Sequence, residues 1–318
     1  MTTVSTTARL ISCLFLSTTL ALPTAFSQEA SLSLGDAIRD SKILADFRVR
    51  TEGASFDNGT DDALALTYRA RIGFETGAFA GTKFLVEFDH VEDLVGDFND
   101  TLNGNIGRAV IADPNVTELN RFQLSNTSIP DTIVTIGRQR IILDDSRFVG
   151  NVGWRQNEQT FDAIRITNTS IENVKFDVSY VDQVNRIFGD EAESGRFDSE
   201  SWLLNAGYKF PFEVVDVTLS GFGYFLDLSD AELSSDTIGG KLTAKKGPVI
   251  LSASYARQSD AGDNPTEYSA DYFFLEASYQ QNGFNAAVGY EVLGADGDSD
   301  GRFLTPVSYT HLTLPTKA

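Results

Sequence analysis

Five arginines crowd into one stretch of this acidic chain, VTIGRQRIILDDSRFVGNVGWRQNEQTFDAIRI, which starts at Val134. They are Arg138, Arg140, Arg147, Arg155 and Arg165. Several of them alternate with isoleucine and valine, as residues of a β-strand do. A guanidinium group offers a planar fork of donors that binds carboxylates and phosphates. Such groups recognise anions, provided that a structural element keeps them in contact with water, because burying an unpaired charge is costly.

Catalytic chemistry is sparsely represented. The chain has two histidines, His90 and His311. A Ser-His-Asp hydrolase would need His90 beside an activated serine, and no serine stands out as its partner. His90 falls at the outer end of a predicted strand, which favours a rim position. We therefore predict that the chain is not an enzyme and has no catalytic residue and no cofactor.

A metal site is also weakly indicated. Asp296, Asp298 and Asp300, followed by Gly301, mimic the first half of an EF-hand loop. Position 12 of such a loop would be Val307 instead of the bidentate glutamate, and no flanking helices are expected. A flexible acidic loop with weak affinity for Ca²⁺ is the most that these aspartates predict.

Composition narrows the class of protein. The chain has 318 residues, a net charge of -20 at pH 7 and 42% hydrophobic residues. So acidic a chain repels phosphate backbones, so we expect no nucleic-acid partner. Its mean hydropathy is -0.14, and together with the hydrophobic content this excludes a helical membrane protein.

The first 27 residues read as a secretory signal peptide. Arg9 supplies the positive charge, residues 10–22 the apolar stretch, and Ala25-Phe26-Ser27 a small-x-small cleavage site. The single cysteine, Cys13, falls inside this signal, so the exported chain would have no disulfide and no cysteine-based metal site. An exported protein without disulfides fits a Gram-negative envelope. Residues 28–40 are predicted to form a periplasmic segment.

Alternation with a period of two recurs after residue 40, whereas no segment shows a convincing helical period. Between Leu64 and Phe74, leucine, tyrosine, isoleucine and phenylalanine share one face, and the other face carries Arg69 and Arg71. Residues 174–180, 202–208 and 284–290 repeat the pattern. Successive side chains of a strand point to opposite faces, so each segment has one apolar and one polar surface.

The connections favour a membrane barrel over a soluble sandwich. We predict about thirteen strands of about 10 residues within residues 41–306. Every second connection is short, as at 77–81, 130–131, 168–173, 211–213, 247–248 and 281–283. The connections between them are mostly long and acidic, as at 92–116, 143–159 and 185–200. This order predicts an all-β, transmembrane, antiparallel up-and-down β-barrel in the bacterial outer membrane.

In such a barrel the apolar faces contact lipid and the polar faces line the lumen. An arginine facing lipid would cost about 2–4 kcal/mol at the bilayer midplane. We therefore expect a lumenal set of Arg48, Arg50, Arg69, Arg71, Arg121, Arg138, Arg140, Arg165 and Lys241. Arg138 shares a face with Ile136, so we predict a β-bulge at Gly137 that turns the arginines inward.

Two meanings of this lumenal set remain open. The arginines could form cross-strand ion pairs that stiffen the wall, for example Arg48 and Arg50 with Glu75 or Glu87. They could instead guide an anionic solute through the pore. Residues 143–159 are predicted to fold inward as a constriction. That segment contains Arg147, Trp154 and Arg155.

The stretch GRQRIILDDSRFVGNVGWRQNEQTFDA, from Gly137, resembles the alginate-export porin family of Gram-negative outer membranes. Shorter similar pieces are RARIGFETG at Arg69, ADPNVTELNR at Ala112, NRIFGD at Asn185, YARQSDAGDNP at Tyr255 and GYEVLGADG at Gly289. The resemblance implies a monomeric barrel of roughly eighteen strands. It also implies an arginine-lined pathway for a polyuronate or another anionic carbohydrate.

The last residues, 307–318, look like translated library adaptor rather than native sequence. Members of the resembled family continue from a Thr-Pro such as Thr305-Pro306 into further strands. We therefore expect a truncated chain that lacks about five strands of a closed, even-numbered barrel.

The sequence as a whole predicts an outer-membrane porin that conducts anionic solutes or carbohydrates through an arginine-lined lumen. Its partners would be outer-membrane lipids and an anionic polysaccharide or small anionic solutes. The alternative is a non-conducting structural or adhesive barrel whose acidic surface loops bind other molecules.

Overall fold

The computed structural model describes residues 33–56, 59–229, 231–296 and 301–308. In these ranges one short helix, α1 (Leu34–Arg39), precedes thirteen β-strands. The strands are β1 (Lys42–Ala54), β2 (Ala63–Glu75), β3 (Thr82–Asp97), β4 (Val116–Asn126), β5 (Thr132–Gln139), β6 (Thr160–Asn168), β7 (Val174–Asn185), β8 (Arg196–Phe210), β9 (Asp216–Leu226), β10 (Ser235–Lys246), β11 (Val249–Asp260), β12 (Ser269–Gln281) and β13 (Phe284–Leu293). None of the helical residues described forms a segment long and apolar enough to cross a membrane. The predicted signal peptide and residues 309–318 lie outside the described ranges.

All thirteen strands form one antiparallel sheet in chain order, each paired with its sequence neighbours. This is the up-and-down topology that the alternating connections predict, and the predicted number of strands is confirmed. The sheet is not closed, because β1 and β13 are not paired with each other in the described residues.

The short connection between β12 and β13 shows why the turns are tight. Asn282 and Gly283 both have positive φ, 53° and 81°, as the two central residues of a type I′ hairpin turn require.

The two faces of the sheet invert the rule for soluble proteins. On the outer face, Phe47 and Val49 are 64% and 60% exposed. On the inner face, Arg69 is 4% exposed and Asp89 is fully buried. Soluble proteins bury apolar side chains and leave charged ones in water. The inversion means that the outer face suits lipid and the inner face suits water and ion pairs, so the predicted outer-membrane barrel fold is confirmed.

The bulge predicted at Gly137 is wrong. The pairing of β5 with β4 and β6 runs through Gly137 without a shift, and the shifts near this region lie at Glu87/Phe88 and Asp162/Ala163 instead. Gly137 has a φ of 109°, and a Cβ there would lie 2.3 Å from the carbonyl oxygen of Phe122. The glycine serves close approach to β4 and does not change register. Arg138 therefore stays on the outer face, beside Phe122.

The interior also contains an apolar cluster that the alternation did not predict. Ile141, Leu143 and Val149, from the connection between β5 and β6, pack against inward side chains of the wall. The buried wall residues include Phe161, Leu203, Phe222, Tyr224 and Tyr272. Phe303 and Val307, after β13, join the same cluster. Part of the lumen is therefore filled by side chains.

Candidate functional site

The connection between β5 and β6, residues 140–159, leaves the wall and runs through the interior. We call it the inward segment. One part of it contacts the inner face of β1–β4, and another part contacts β9–β13. A segment anchored on two sides of a barrel narrows the passage, because it occupies space between opposite walls.

The contact with β2 and β4 centres on Glu158, which is almost fully buried. Its carboxylate accepts hydrogen bonds from Arg140 Nε at 2.6 Å, Asn120 Nδ2 at 2.7 Å and Asn151 Nδ2 at 2.6 Å. Arg71 Nη1 lies 3.1 Å away. A buried carboxylate needs such a set of donors, because its desolvation is otherwise costly.

The wall behind Glu158 is a chain of paired charges. Arg121 donates to both carboxylate oxygens of Glu87, at 2.8 and 2.7 Å. Arg71 forms the same two-pronged contact with Asp89, at 2.5 and 2.6 Å. Bidentate pairs of this kind fix the geometry of both partners. Ion pairing that stiffens the wall is therefore present on β2–β4.

A second set of contacts joins the inward segment to β1 and β2 through Gln156. Arg48 donates from Nε to Gln156 Oε1 at 2.9 Å and from Nη1 to the carbonyl oxygen of Gly153 at 3.0 Å. The Gln156 side chain donates to Thr67 Oγ1 at 2.8 Å. Arg48 has no carboxylate within ion-pairing distance in the part of the chain that the structure describes. It also lies directly opposite Arg69 in the register of β1 and β2.

Trp154 and Arg155 form the tip of this contact. The guanidinium carbon of Arg155 lies 4.0 Å from the centre of the Trp154 ring, and that of Arg50 lies 5.1 Å from it. Arg155 also donates to Glu52 at 3.0 Å. Each of these cation–π contacts is favourable where water is excluded, and Glu52, which pairs with both arginines, offsets their mutual repulsion. Burial lowers the pKa of Arg155 because the charged form loses hydration.

The opposite contact of the inward segment combines charge and aromatic packing. Arg147 Nε lies 2.6 Å from Glu291 on β13 and 3.3 Å from the hydroxyl of Tyr272. Phe148 packs with its ring centre 5.0 Å from the ring centres of Phe222 and Tyr272. Aromatic pairs at such distances add to the stabilisation from burial. This side of the interior is therefore more apolar than the arginine-rich side.

The structure places the predicted site residues as follows. Most of them contact groups of the inner face or the inward segment. These are Arg48, Arg50, Arg69, Arg71, Arg121, Arg140, Arg147, Trp154, Arg155, Arg165 and Lys241. Arg165 forms an ion pair with Asp177 at 2.6 Å, and Lys241 pairs with Asp145. Their role in a solute pathway stays a prediction.

Two predicted details are wrong. Arg50 pairs with Glu52 and Asp113, and Arg48 binds amide and carbonyl groups, so neither pairs with Glu75 or Glu87. The inward segment and the loop before β4 bring their own partners to β1, and spacing along a strand could not indicate this. Arg138 is not lumenal. On the outer face it donates to both oxygens of Asp162, at 2.8 and 2.9 Å, which satisfies the guanidinium beside the apolar stripe.

His90 and the acidic loop carry no further chemistry in the described residues. His90 lies on the outer face, with Nε2 3.1 Å from the Tyr68 hydroxyl and Nδ1 2.7 Å from Thr117 Oγ1. Among the aspartates of the predicted calcium loop, Asp296 is described, whereas Asp298 and Asp300 lie outside the described residues. No group of three or more potential metal ligands occurs in the ranges that the structure covers.

Sequence reasoning missed Glu158, Gln156 and Asn120 as parts of this site. The available signal was the run Gln156-Asn157-Glu158-Gln159, four polar residues directly before the apolar start of β6. All four are buried. Consecutive polar residues at the end of a loop usually indicate solvent, and only the wall opposite makes these residues internal.

Acid should weaken the contact at Glu158. Burial by itself raises the pKa of Glu158, but Arg140 and Arg71 outweigh it and hold the pKa at about 2. The pKa of a glutamate in an unfolded chain is about 4.3. Because the folded pKa is the lower one, the stabilisation is complete above about pH 4.3 and is lost as the pH falls towards 2.

We expect this loss to appear in the free energy of unfolding measured between pH 7 and pH 2. The wild-type protein should lose about 3 kcal/mol more across this window than Glu158→Gln, which cannot ionise. Identical pH profiles for the two proteins would show that the carboxylate is not held in its charged form.

Comparisons with known proteins were made at three levels. No family model matches the chain, and no curated protein is significantly similar to it. Solved structures do match. OpdO from Pseudomonas aeruginosa aligns with a TM-score of 0.61 and 14% identity, over 88% of this chain and 72% of OpdO. OccD3 (OpdP) from the same organism aligns with a TM-score of 0.56 and 13% identity, over 86% of this chain. OpdK from P. aeruginosa, solved with vanillate, aligns with a TM-score of 0.52 and 14% identity, over 80% of this chain and 67% of OpdK.

The fold is that of the Occ/Opd outer-membrane porins. These channels agree with the predicted outer-membrane location and with the prediction that the chain is not an enzyme. The chain spans 62% of the length of OccD3. At these identities the likeness concerns the fold, and the solute has to be argued from the residues of this chain.

The resemblance to alginate-export porins is wrong. The solved structures that match include Occ/Opd channels of the OprD type. The quoted motif from Gly137 onward contains Arg140, Gln156 and Glu158, which hold the inward segment to the wall. These residues hold the inward segment against the barrel wall. Their presence in the motif therefore does not indicate that the transported solute is a polysaccharide.

Proposed function

We propose that this chain is an outer-membrane porin that passes small solutes, with a preference for anions. The observation that carries the proposal is the inward segment, which crosses an interior lined by arginines while the outer face of the sheet is apolar. A barrel wall with these faces suits a water-filled passage, and an internal segment restricts that passage to small molecules.

The preference for anions is supported by the surroundings of Arg48. Arg48 and Arg69 are like charges directly opposite each other on neighbouring strands, an unfavourable arrangement in isolation. Asp46 pairs with Arg69, whereas Arg48 contacts neutral oxygens. This part of the wall therefore carries uncompensated positive charge that would attract a carboxylate. OpdK, which has the same fold, was solved with vanillate, itself a carboxylate.

Ion selectivity in planar bilayers tests the proposal. Arg48→Gln should lower the anion-to-cation permeability ratio by about five-fold, since a unit charge at 4 Å contributes about 1 kcal/mol in water. Arg138→Gln is the matched control, because it removes the same charge from the outer face, and it should leave the reversal potential unchanged. An equal effect of both substitutions would show that the inner position is not special.

The same measurement separates the alternative. A structural or adhesive barrel filled by its own side chains would give no single-channel current after refolding. The apolar cluster around Phe148 and the extensive ion pairing are the features that would favour it. Measurable current in the wild-type protein would exclude that alternative.

A further inference from the structure

A cavity of about 550 Å³ lies at the short-turn end of the interior, away from the arginine-rich wall. The inner faces of β7, β8 and β9 form its side, and the turn that contains Thr169 and Ile171 borders it. Ile142, Leu143 and Asp144, from the start of the inward segment, border it as well. A solute that passed the inward segment would meet this cavity next.

Two lysines line the cavity, Lys175 on β7 and Lys209 on β8. Lys175 pairs in register with Gly207, so Lys209, two residues further on, is its diagonal neighbour on the same face. Diagonal neighbours in a sheet lie about 7–8 Å apart. Two ammonium groups at that spacing repel each other, and one anion between them would satisfy both.

The existing partners of these lysines are few. Lys209 Nζ lies 3.1 Å from Asp216, but both side chains are more than half exposed, so the pair is weak. Lys175 has no ion pair within the ranges that the structure describes. Of the two carboxylates that line the cavity, Asp177 is already neutralised by Arg165. Asp144 accepts a hydrogen bond from Asn205 at 2.7 Å and forms no ion pair with another described residue.

The rest of the lining is mixed. Thr218 and Ser220 offer hydroxyl groups, while Ile142, Leu143 and Ile171 offer apolar surface. A bare inorganic anion would use only the polar part of this lining. An organic carboxylate with a small apolar body would use both parts.

We propose that this cavity is a second anion site, in which Lys175 and Lys209 bind the carboxylate of a small organic anion. The inference rests on the proposed function, because the site would receive solutes that have passed the inward segment. It adds a station at the short-turn end that is separate from Arg48.

Isothermal titration of the refolded full chain in detergent tests the site with benzoate and with its uncharged counterpart benzamide. Benzoate should bind and benzamide should bind more weakly. Lys175→Gln should weaken benzoate binding by about five-fold, the upper range for an exposed charge pair. Asp144→Asn should strengthen it, because the substitution removes the opposing charge while its amide oxygen can still accept from Asn205.

Lys246→Gln is the matched control. Lys246 pairs with Val249 on the outer face at the same end of the barrel, so its loss should not affect benzoate binding. Equal binding of benzoate and benzamide, or an equal effect of Lys175→Gln and Lys246→Gln, would overturn the site. Benzoate binding in a protein that carries no current would support the site and contradict the porin function. Current without benzoate binding would do the reverse.

Discussion

Glu158→Ala should lower the free energy of unfolding by about 3 to 5 kcal/mol, the range for breaking a buried ion pair by removing one partner. The substitution takes the acceptor from Arg140, Asn120 and Asn151, and it removes the second carboxylate from Arg71. Arg71 keeps Asp89 and Arg140 keeps Glu87, so the lower end of the range is expected. Urea unfolding in detergent, followed by tryptophan fluorescence, measures the effect.

Glu172→Ala is the control for this loss. Glu172 lies exposed in the turn between β6 and β7, so its removal should change the free energy of unfolding by less than about 0.5 kcal/mol. Glu158→Ala should also raise single-channel conductance, because the inward segment loses its central contact with the wall. A stable Glu158→Ala protein with unchanged conductance would show that the other contacts of the segment, such as those of Gln156 and Arg155, hold it in place without Glu158.

Phe148→Ala should lower the free energy of unfolding by about 3 kcal/mol, the lower end of the range for removing a phenylalanine ring from a core. The ring packs against Phe222 and Tyr272 and lies 5.8 Å, centre to centre, from Phe303. The Phe148 side chain is partly rather than fully buried, so we expect the lower end of that range. The effect should appear as a lower urea midpoint at an unchanged denaturant slope.

Phe79→Ala is the matched change for Phe148→Ala. Phe79 lies in the short turn between β2 and β3 and is 44% exposed, so its loss should cost much less. If Phe148→Ala and Glu158→Ala both raise the conductance, both contacts position the inward segment. If Phe148→Ala lowers stability without changing conductance, the aromatic cluster braces the wall and the charged contact alone sets the width of the passage.

The alternation of apolar and polar residues was enough to predict thirteen strands, their order and the connections of alternating length. In an up-and-down barrel each strand pairs with its sequence neighbours, so local pattern and local pairing carry the same information. The faces of Arg69, Arg71 and Arg121 followed from the same period. For Arg138 the period also gives the observed outer face, and the prediction failed because it added a β-bulge at Gly137, where the structure has a close approach to β4.

What the sequence determined by itself is therefore the wall: which residues form strands, which face meets lipid and which end has short turns. These properties depend on neighbours in the chain. The tertiary structure alone decided the interior. Glu158 meets Arg71, Gln156 meets Arg48 and Phe148 meets Tyr272 across long separations in sequence. Such contacts arise because residues 140–159 fold into the lumen, where the low-dielectric surroundings make each buried charge depend on a partner that no local pattern specifies.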